Sequence, residues 1–241
     1  AWVGELDPAA CFPARRLEAV VRSLEQPAHD VTLLQLEVKG KPLAFAPGQY
    51  ARVRFGKLPA RSYSMANHPD DAILEFHIRH VPDGVVSIHA AQELAVGDSV
   101  NIEGPFGYSY LRENHSGPIV AVGGGTGLAP MLSIVRAALT RMPKRPIHLY
   151  FGVQDELNVY AEDELHKLEK LNTDLNAHIV LSEPNSSTSR RVGFVHQALE
   201  QDLANASWVN LTGSKVYAAG PTPMVEAVKR LAQQRGLTSD D

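Results

Sequence analysis

The chain reads as two domains: an antiparallel β-barrel with one helix, followed by an α/β domain built on a doubly wound parallel sheet. Three observations predict this. Between Arg16 and Ile102, short segments alternate apolar and polar residues and are separated by turn-forming pairs. After Ser116-Gly117 the texture changes to a continuous apolar run, Pro118-Ile119-Val120-Ala121-Val122, as in a strand buried on both faces. From there onward, strand-like and helix-like segments alternate, which implies a parallel sheet with crossover helices.

The elements follow in order. Residues 1–14 show no period and read as a linker or tail. Residues 15–115 form the barrel domain. Within it, Thr32–Val38 and Ile73–Arg79 alternate as strands with one buried face, and Pro47-Gly48 and Pro82-Asp83-Gly84 supply turns. One helix is expected from near Val85 to about Glu93. The boundary falls between Glu113 and Gly117, and residues 116–241 form the α/β domain. Its expected helices are Met131–Leu139, Glu162–Leu171, Val195–Asp202 and Met224–Gln234. Its expected strands are Pro118–Val122, Ile147–Phe151, Ala177–Leu181 and Lys215–Ala219. Pro184 to Ser189 reads as a polar loop, and Glu162-Asp163-Glu164 as the solvated face of a helix.

Composition narrows the function classes. At 241 residues, the chain can bury two cores. A net charge of −4, scattered along the sequence, gives no basic footprint for nucleic acid or an anionic membrane. No apolar stretch is long enough to span a bilayer. Cys11 is the only cysteine, so neither a disulfide framework nor an iron–sulfur cluster can form from these residues. A cytoplasmic address is the default for a single-thiol chain of this kind. His77 and His80, three apart on a strand, point to opposite faces and cannot share a metal. No hydrolase elbow or Walker loop is present.

The strongest local signal is Gly125-Thr126-Gly127-Leu128-Ala129-Pro130, which follows a buried strand and opens a helix. That is the context a dinucleotide loop requires. Glycines let the backbone approach a pyrophosphate, and the helix N-terminus offers free amides. A tight strand-to-helix turn without ligand would use similar residues, but the flanking strand and helix favour nucleotide. Farther on, Ser182-Glu183 ends a strand. A carboxylate there can accept both ribose hydroxyls and repels a 2′-phosphate, which favours NADH over NADPH. Arg190 and Arg191 pull the other way, since either could reach back to a phosphate.

Upstream lies Arg61-Ser62-Tyr63-Ser64, then His77-Ile78-Arg79 and Gly84-Val85-Val86-Ser87. With the glycine loop after them, these motifs resemble the flavin and pyridine-nucleotide sites of the ferredoxin–NADP reductase family. The resemblance is closest to the reductase component of bacterial aromatic-ring-hydroxylating dioxygenases of the naphthalene and carbazole type. It runs through Glu75–Arg79 with Val81-Pro82, Tyr110-Leu111-Arg112, Gly123–Pro130 and Leu149–Val153. It implies that the barrel binds FAD and the α/β domain binds NADH.

Under that resemblance, Arg61 pairs with the FAD diphosphate, Tyr63 stacks on the flavin and Ser64 donates a hydrogen bond near N5 as the catalytic residue. Ser62, His77, Ile78 and Arg79 also contact the cofactor, and Gly84, Val85, Val86 and Ser87 hold the other side of the diphosphate. Gly125, Thr126, Gly127 and Glu183 hold NADH, with Gly220, Pro221 and Met224 beside the nicotinamide. Ala219 stands where the family has cysteine. Hydride passes from NADH to FAD, then single electrons pass to a ferredoxin or an oxygenase component. A plant-type [2Fe-2S] domain is expected upstream, since the sequence starts at Ala1 rather than methionine and its first residues lack pattern. The alternatives are a stand-alone free-flavin or ferric reductase and a non-catalytic electron-transfer subunit of a larger dehydrogenase.

Overall fold

A computed structural model describes residues 12–205, 211 and 213–238. Residues 1–11 of the expected tail, including Cys11, lie outside the described residues, as does the C-terminal Asp240-Asp241.

The first half holds six strands in one antiparallel sheet: β1 (Arg15–Ala28), β2 (Val31–Val38), β3 (Tyr50–Phe55), β4 (Arg61–Ser64), β5 (Ile73–Arg79) and β6 (Ser99–Phe106). Their order is β4-β3-β6-β1-β2-β5. The sheet curls until its two edges meet, through a bridge between Met65 and Phe76 and a hydrogen bond from Ala66 N–H to Glu75 O at 2.8 Å. Alternation does the rest: Leu34, Leu36, Val53, Phe55, Phe76 and Ile78 point inward and make the barrel core. Helix α1 (Val85–Gln92) closes one end by burying Val86 and Ala90 in that core.

The second half is a five-stranded parallel sheet ordered β10-β9-β8-β7-β11. Its strands are β7 (Ile119–Gly124), β8 (Ile147–Val153), β9 (Leu175–Leu181), β10 (Arg191–Val192) and β11 (Lys215–Ala219), with helices α2 (Leu128–Arg141), α3 (Glu162–Leu171), α4 (Val195–Ala204) and α5 (Thr222–Gln234). Every residue of β7 is buried because successive residues enter different cores. Ile119 and Ala121 meet α2, whereas Val120 and Val122 meet α4 and α5. That is the signature of helices on both faces. The chain runs from β7 outward to β10 and then returns to place β11 on the other side of β7. The order therefore reverses at β7, and a crevice opens at the carboxyl ends of β7 and β11, where such folds bind ligands.

Two expectations need correction. Strand β5 does not have one buried face: Leu74, Phe76 and Ile78 face the barrel core, but His77 on the opposite face is buried as well. The α/β domain packs there, and Arg136 of α2 and Tyr160 reach Glu75 and His77. Nor is Glu162-Asp163-Glu164 a purely solvated face. Glu162 pairs with Arg190 and Glu164 with Arg136, each at 2.8 Å. Further bonds tie the halves together, including Ser133 Oγ to Asn67 O at 2.9 Å and Arg141 to Asp70 at 2.8 Å. Among the described residues, no helix is long and apolar enough to cross a membrane.

Candidate functional site

The site is organised by the turn between β7 and α2. Gly125–Gly127 form one 3-10 turn, and α2 starts at Leu128 with Pro130 in its first turn. Gly125 sits at φ +54°, a left-handed conformation that a side chain disfavours. Gly127 is glycine for a different reason. A Cβ there would press into the Ala219 carbonyl, 2.5 Å from its carbon and 2.7 Å from Gly220 N. The loop thus lies directly against the turn that follows β11, and the first turn of α2 borders the smaller cleft through Ala129 and Pro130.

Two clefts meet at this turn. The larger, about 660 Å³, runs over the carboxyl ends of the parallel strands past Gln154, Tyr160, Ser182, Glu183 and Met224. The smaller, about 340 Å³, lies between the domains. Its barrel side is Ser62, Tyr63, Ser64 and His77; its α/β side includes Gly127, Ala219 and Gly220. Arg79, Gly124, Thr126 and Pro221 line both, so the clefts are continuous.

Charges around the clefts are mostly committed. Arg190 is held by Glu156 and Glu162, each at 2.8 Å, and Arg191 by Asp202 at 2.6 Å. Neither arginine lines the larger cleft. Hydrogen bonds from Thr188 and then Arg190 hold Glu156 below its ordinary range, and the bond from Arg190 does the same for Glu162. Glu183 faces the cleft and accepts a bond from Gln154 Nε2 at 3.2 Å. Arg79 is paired to Asp30 at 3.4 Å.

Between the clefts lies a chain of polar contacts. The Tyr160 hydroxyl is 3.0 Å from His77 Nδ1 and 3.4 Å from Gly125 O. His77 Nε2 is 3.3 Å from Glu75, which also pairs with Arg136 at 3.1 Å. Burial alone would raise the Glu75 carboxyl, but the His77 hydrogen bond and the Arg136 charge outweigh it and pull it down to about 2. Burial, reinforced by the Glu75 and Asp30 charges, pushes the Tyr160 phenol well above its ordinary value.

The structure brings most of the singled-out residues together. Ser62, Tyr63, Ser64, His77, Arg79, Thr126, Gly127, Gly220 and Pro221 line the smaller cleft; Gly125, Glu183 and Met224 line the larger. Others stand apart. Arg61 is exposed at the start of β4, and its guanidinium bonds Ala60 O at 3.4 Å. Ile78 and Val86 belong to the barrel core. Gly84 and Val85 open α1, where Ser87 Oγ accepts from Val81 N–H and donates to Gly84 O. Sequence reasoning missed Tyr160, Gln154, Asn158, His196 and Arg230, all of which line the larger cleft. None carries a local motif; only packing places them.

The donor set fits two nucleotide-bearing ligands: an open backbone approach at Gly125 in the larger cleft, where a Cβ would have only Arg79 near it, at 3.9 Å, and a phenol flanked by two hydroxyls on β4 in the smaller. Comparison with known proteins agrees. Residues 18–110 match the oxidoreductase FAD-binding domain family, and residues 121–230 match the oxidoreductase NAD-binding domain family. The chain is 43% identical over 235 residues to the ferredoxin–NAD(P)+ reductase component of naphthalene 1,2-dioxygenase/salicylate 5-hydroxylase systems from Ralstonia. That alignment covers 98% of this chain and 70% of the relative. The corresponding naphthalene dioxygenase component of Pseudomonas putida is 40% identical, covering 99% and 71%.

This chain belongs to that reductase family.

The reductase also superimposes on solved structures. An Amycolatopsis cytochrome P450 reductase aligns with TM-score 0.87 at 34% identity, covering 95% of this chain and 68% of the other. The ferredoxin reductase of carbazole 1,9a-dioxygenase aligns with TM-score 0.85 at 29% identity, covering 95% and 68%. The reductase is therefore a flavin-dependent, NAD(H)-using oxidoreductase with its FAD-binding domain first and its NAD-binding domain second.

Proposed function

We propose that this chain takes electrons from NADH through FAD and delivers them singly to a ferredoxin or an iron–sulfur centre that feeds a ring-hydroxylating dioxygenase. It acts in the cytoplasm, with domains spanning 15–115 and 116–241. The observation that carries this reading is the shared wall of the two clefts. The polar residues of β4 face the glycine loop and the Ala219–Pro221 turn across a single gap. A flavin held by one wall and a nicotinamide held by the other would meet there. The relatives whose names include naphthalene dioxygenase systems support the acceptor class.

When bound, FAD and NADH supply hydride transfer and the change from two-electron to one-electron chemistry. The chain supplies placement. Gly124–Gly127 and the amide end of α2 would cradle the NADH pyrophosphate. Glu183 would accept from the ribose hydroxyls, and Pro221 with Met224 would border the nicotinamide. On the barrel side, Tyr63 offers a half-buried aromatic face, Ser64 a hydroxyl donor, and Arg79 a cation where the clefts join. Arg61 and the start of α1 would hold the FAD diphosphate from outside the clefts.

The test is an anaerobic absorption spectrum of the FAD-loaded protein before and after NADH, followed by titration with ferricyanide and with a [2Fe-2S] ferredoxin. Bleaching by NADH and reoxidation by both acceptors supports the reading. A protein that binds no FAD, or whose FAD is not bleached by NADH, overturns it.

A further inference from the structure

Tyr160 stands between the two clefts: it lines the larger, and His77, to which it bonds, lines the smaller. Its ring is anchored edge-on against His77 and Phe151, with centroids at 5.4 Å in both pairs. That packing leaves the hydroxyl little freedom except the direction of its proton. The hydroxyl has one hydrogen and two neighbours able to accept it, His77 Nδ1 at 3.0 Å and Gly125 O at 3.4 Å.

The far side of the imidazole is fixed. Glu75 pairs with Arg136 and is a carboxylate, so it can only accept, and Nε2 must carry a hydrogen toward it. In the neutral ring Nδ1 is then an acceptor for the Tyr160 proton. Gly125 belongs to the dinucleotide loop, whereas His77 belongs to the strand behind the flavin motif. A ligand that moves Gly125 toward Tyr160 competes with His77 for the same proton, and a ligand bearing on His77 competes the other way. A proton with two such acceptors would form a two-state element biased from both sites, which is the physical requirement for coupling between them.

We propose that Tyr160 is a positioning residue that couples the two clefts, its single hydroxyl proton shared between the Gly125 carbonyl and His77 Nδ1. The proposal rests on the reading of the clefts as NAD(H) and FAD sites. It assigns Tyr160 and His77 no contact with a reacting atom. Their effect is to let NAD(H) occupancy alter how tightly FAD is held, and by linkage the reverse.

The experiment uses the FAD-loaded chain, diluted until FAD dissociates, with released FAD read by its fluorescence. The FAD dissociation constant is measured with and without saturating NAD+, and the ratio is the coupling factor, whatever either affinity does alone. For the wild type a factor on the order of fivefold or more is expected, the low end of measured couplings. In Tyr160→Phe, which keeps the ring contacts and removes only the hydroxyl, the factor should fall below about twofold, still less than that low end. His77→Gln should do the same, and the double variant should fall no further, because both changes break one bond. The NAD+-induced difference spectrum of the flavin should shrink in parallel.

A wild-type factor near one overturns the proposal, as does an unchanged factor in Tyr160→Phe or an additive loss in the double variant. If Tyr160→Phe does not fold, the His77→Gln factor decides alone. A wild type that binds no FAD at all overturns the functional reading instead, so the two failures are separable.

Discussion

Replacing Gly127 by alanine tests the geometry that joins the two walls. The added methyl would meet backbone, not a side chain that could swing away: the Ala219 carbonyl carbon lies at 2.5 Å and Gly220 N at 2.7 Å. Relief requires either loss of the last β11–β7 rung, Ala219 opposite Gly123, or an outward shift of α2. Overpacking of this kind costs about 1–3 kcal/mol. In a chain of this length each kcal/mol lowers Tm by about 2–4 °C, so the expected drop is about 2–12 °C. Gly125→Ala is the control. Its methyl has open space, with the nearest atom, on Arg79, at 3.9 Å, but it must hold a left-handed φ of +54°. That strain alone costs about 1–3 kcal/mol, with no displacement of β11. The discriminating assay is therefore nucleotide binding beside thermal denaturation. Gly127→Ala should weaken both NAD+ binding and FAD retention, because the smaller cleft is lined by Gly127 and by the turn it pushes. Gly125→Ala should affect NAD+ chiefly. If Gly127→Ala melts within a degree of wild type and binds both cofactors normally, the close approach of loop and turn is not what shapes the site.

Three further outcomes follow from single residues. Ser64→Ala should slow flavin reduction by NADH on the order of a hundredfold, the loss typical of one preorganised donor, with FAD and NADH affinities little changed; stopped-flow reduction at the wild-type rate removes Ser64 from the mechanism. Glu183→Arg should shift the kcat/KM ratio toward NADPH by roughly tenfold, about 1.4 kcal/mol, and an unchanged ratio means Glu183 does not read the ribose. Glu75 carries a pH signature. Its folded value near 2 lies below its ordinary 4.5, so its stabilisation is present above 4.5 and is lost as pH falls toward 2. Urea unfolding should show the stability gap between wild type and Glu75→Gln narrowing by about 3 kcal/mol across that window, and a constant gap would contradict the pairing with His77 and Arg136.

Local pattern carried far where punctuation was strong. Ile73–Arg79, Glu162–Leu171 and Lys215–Ala219 appear with the expected ends. Helix α2 begins at Leu128, not Met131, because the helix takes up directly after Gly127. Strand β10 has two residues, too few to show a period, and exists because β9 offers an open edge. The motifs put residues near the clefts for the same local reason: each sits at a strand end or a helix start. What no local pattern could supply is the seam between domains. His77 and Tyr160 are 83 positions apart, and Glu75 and Arg136 are 61 apart. Each looks ordinary in its own segment. A half-buried carboxylate on a strand face expected to meet solvent becomes intelligible only when the arginine that neutralises it is seen.

The arginines show most clearly why residue type and position must be read together. A phosphate-binding inventory drawn from sequence would count Arg79, Arg190, Arg191 and Arg230 as equals. In the fold they are not equal. Arg190 has two carboxylates and Arg191 has one plus the Ala198 carbonyl, so recruiting either to a ligand means breaking charge-assisted hydrogen bonds already made. Arg79 shares Asp30 with Asn158, and its side chain remains about half exposed at the junction of the clefts. Arg230, on α5, lines the larger cleft and makes no ion pair among the described residues. The cations that a nucleotide could meet without displacing a stronger partner are thus Arg79 and Arg230. Glu183 faces the same cleft, and among the described residues a neutral amide, that of Gln154, is what bonds its carboxylate. A 2′-phosphate near Glu183 would meet a carboxylate that makes no ion pair among the described residues, whereas a pyrophosphate near the loop would not. The NADH preference we propose therefore rests on where the positive charges are already engaged, not on how many there are.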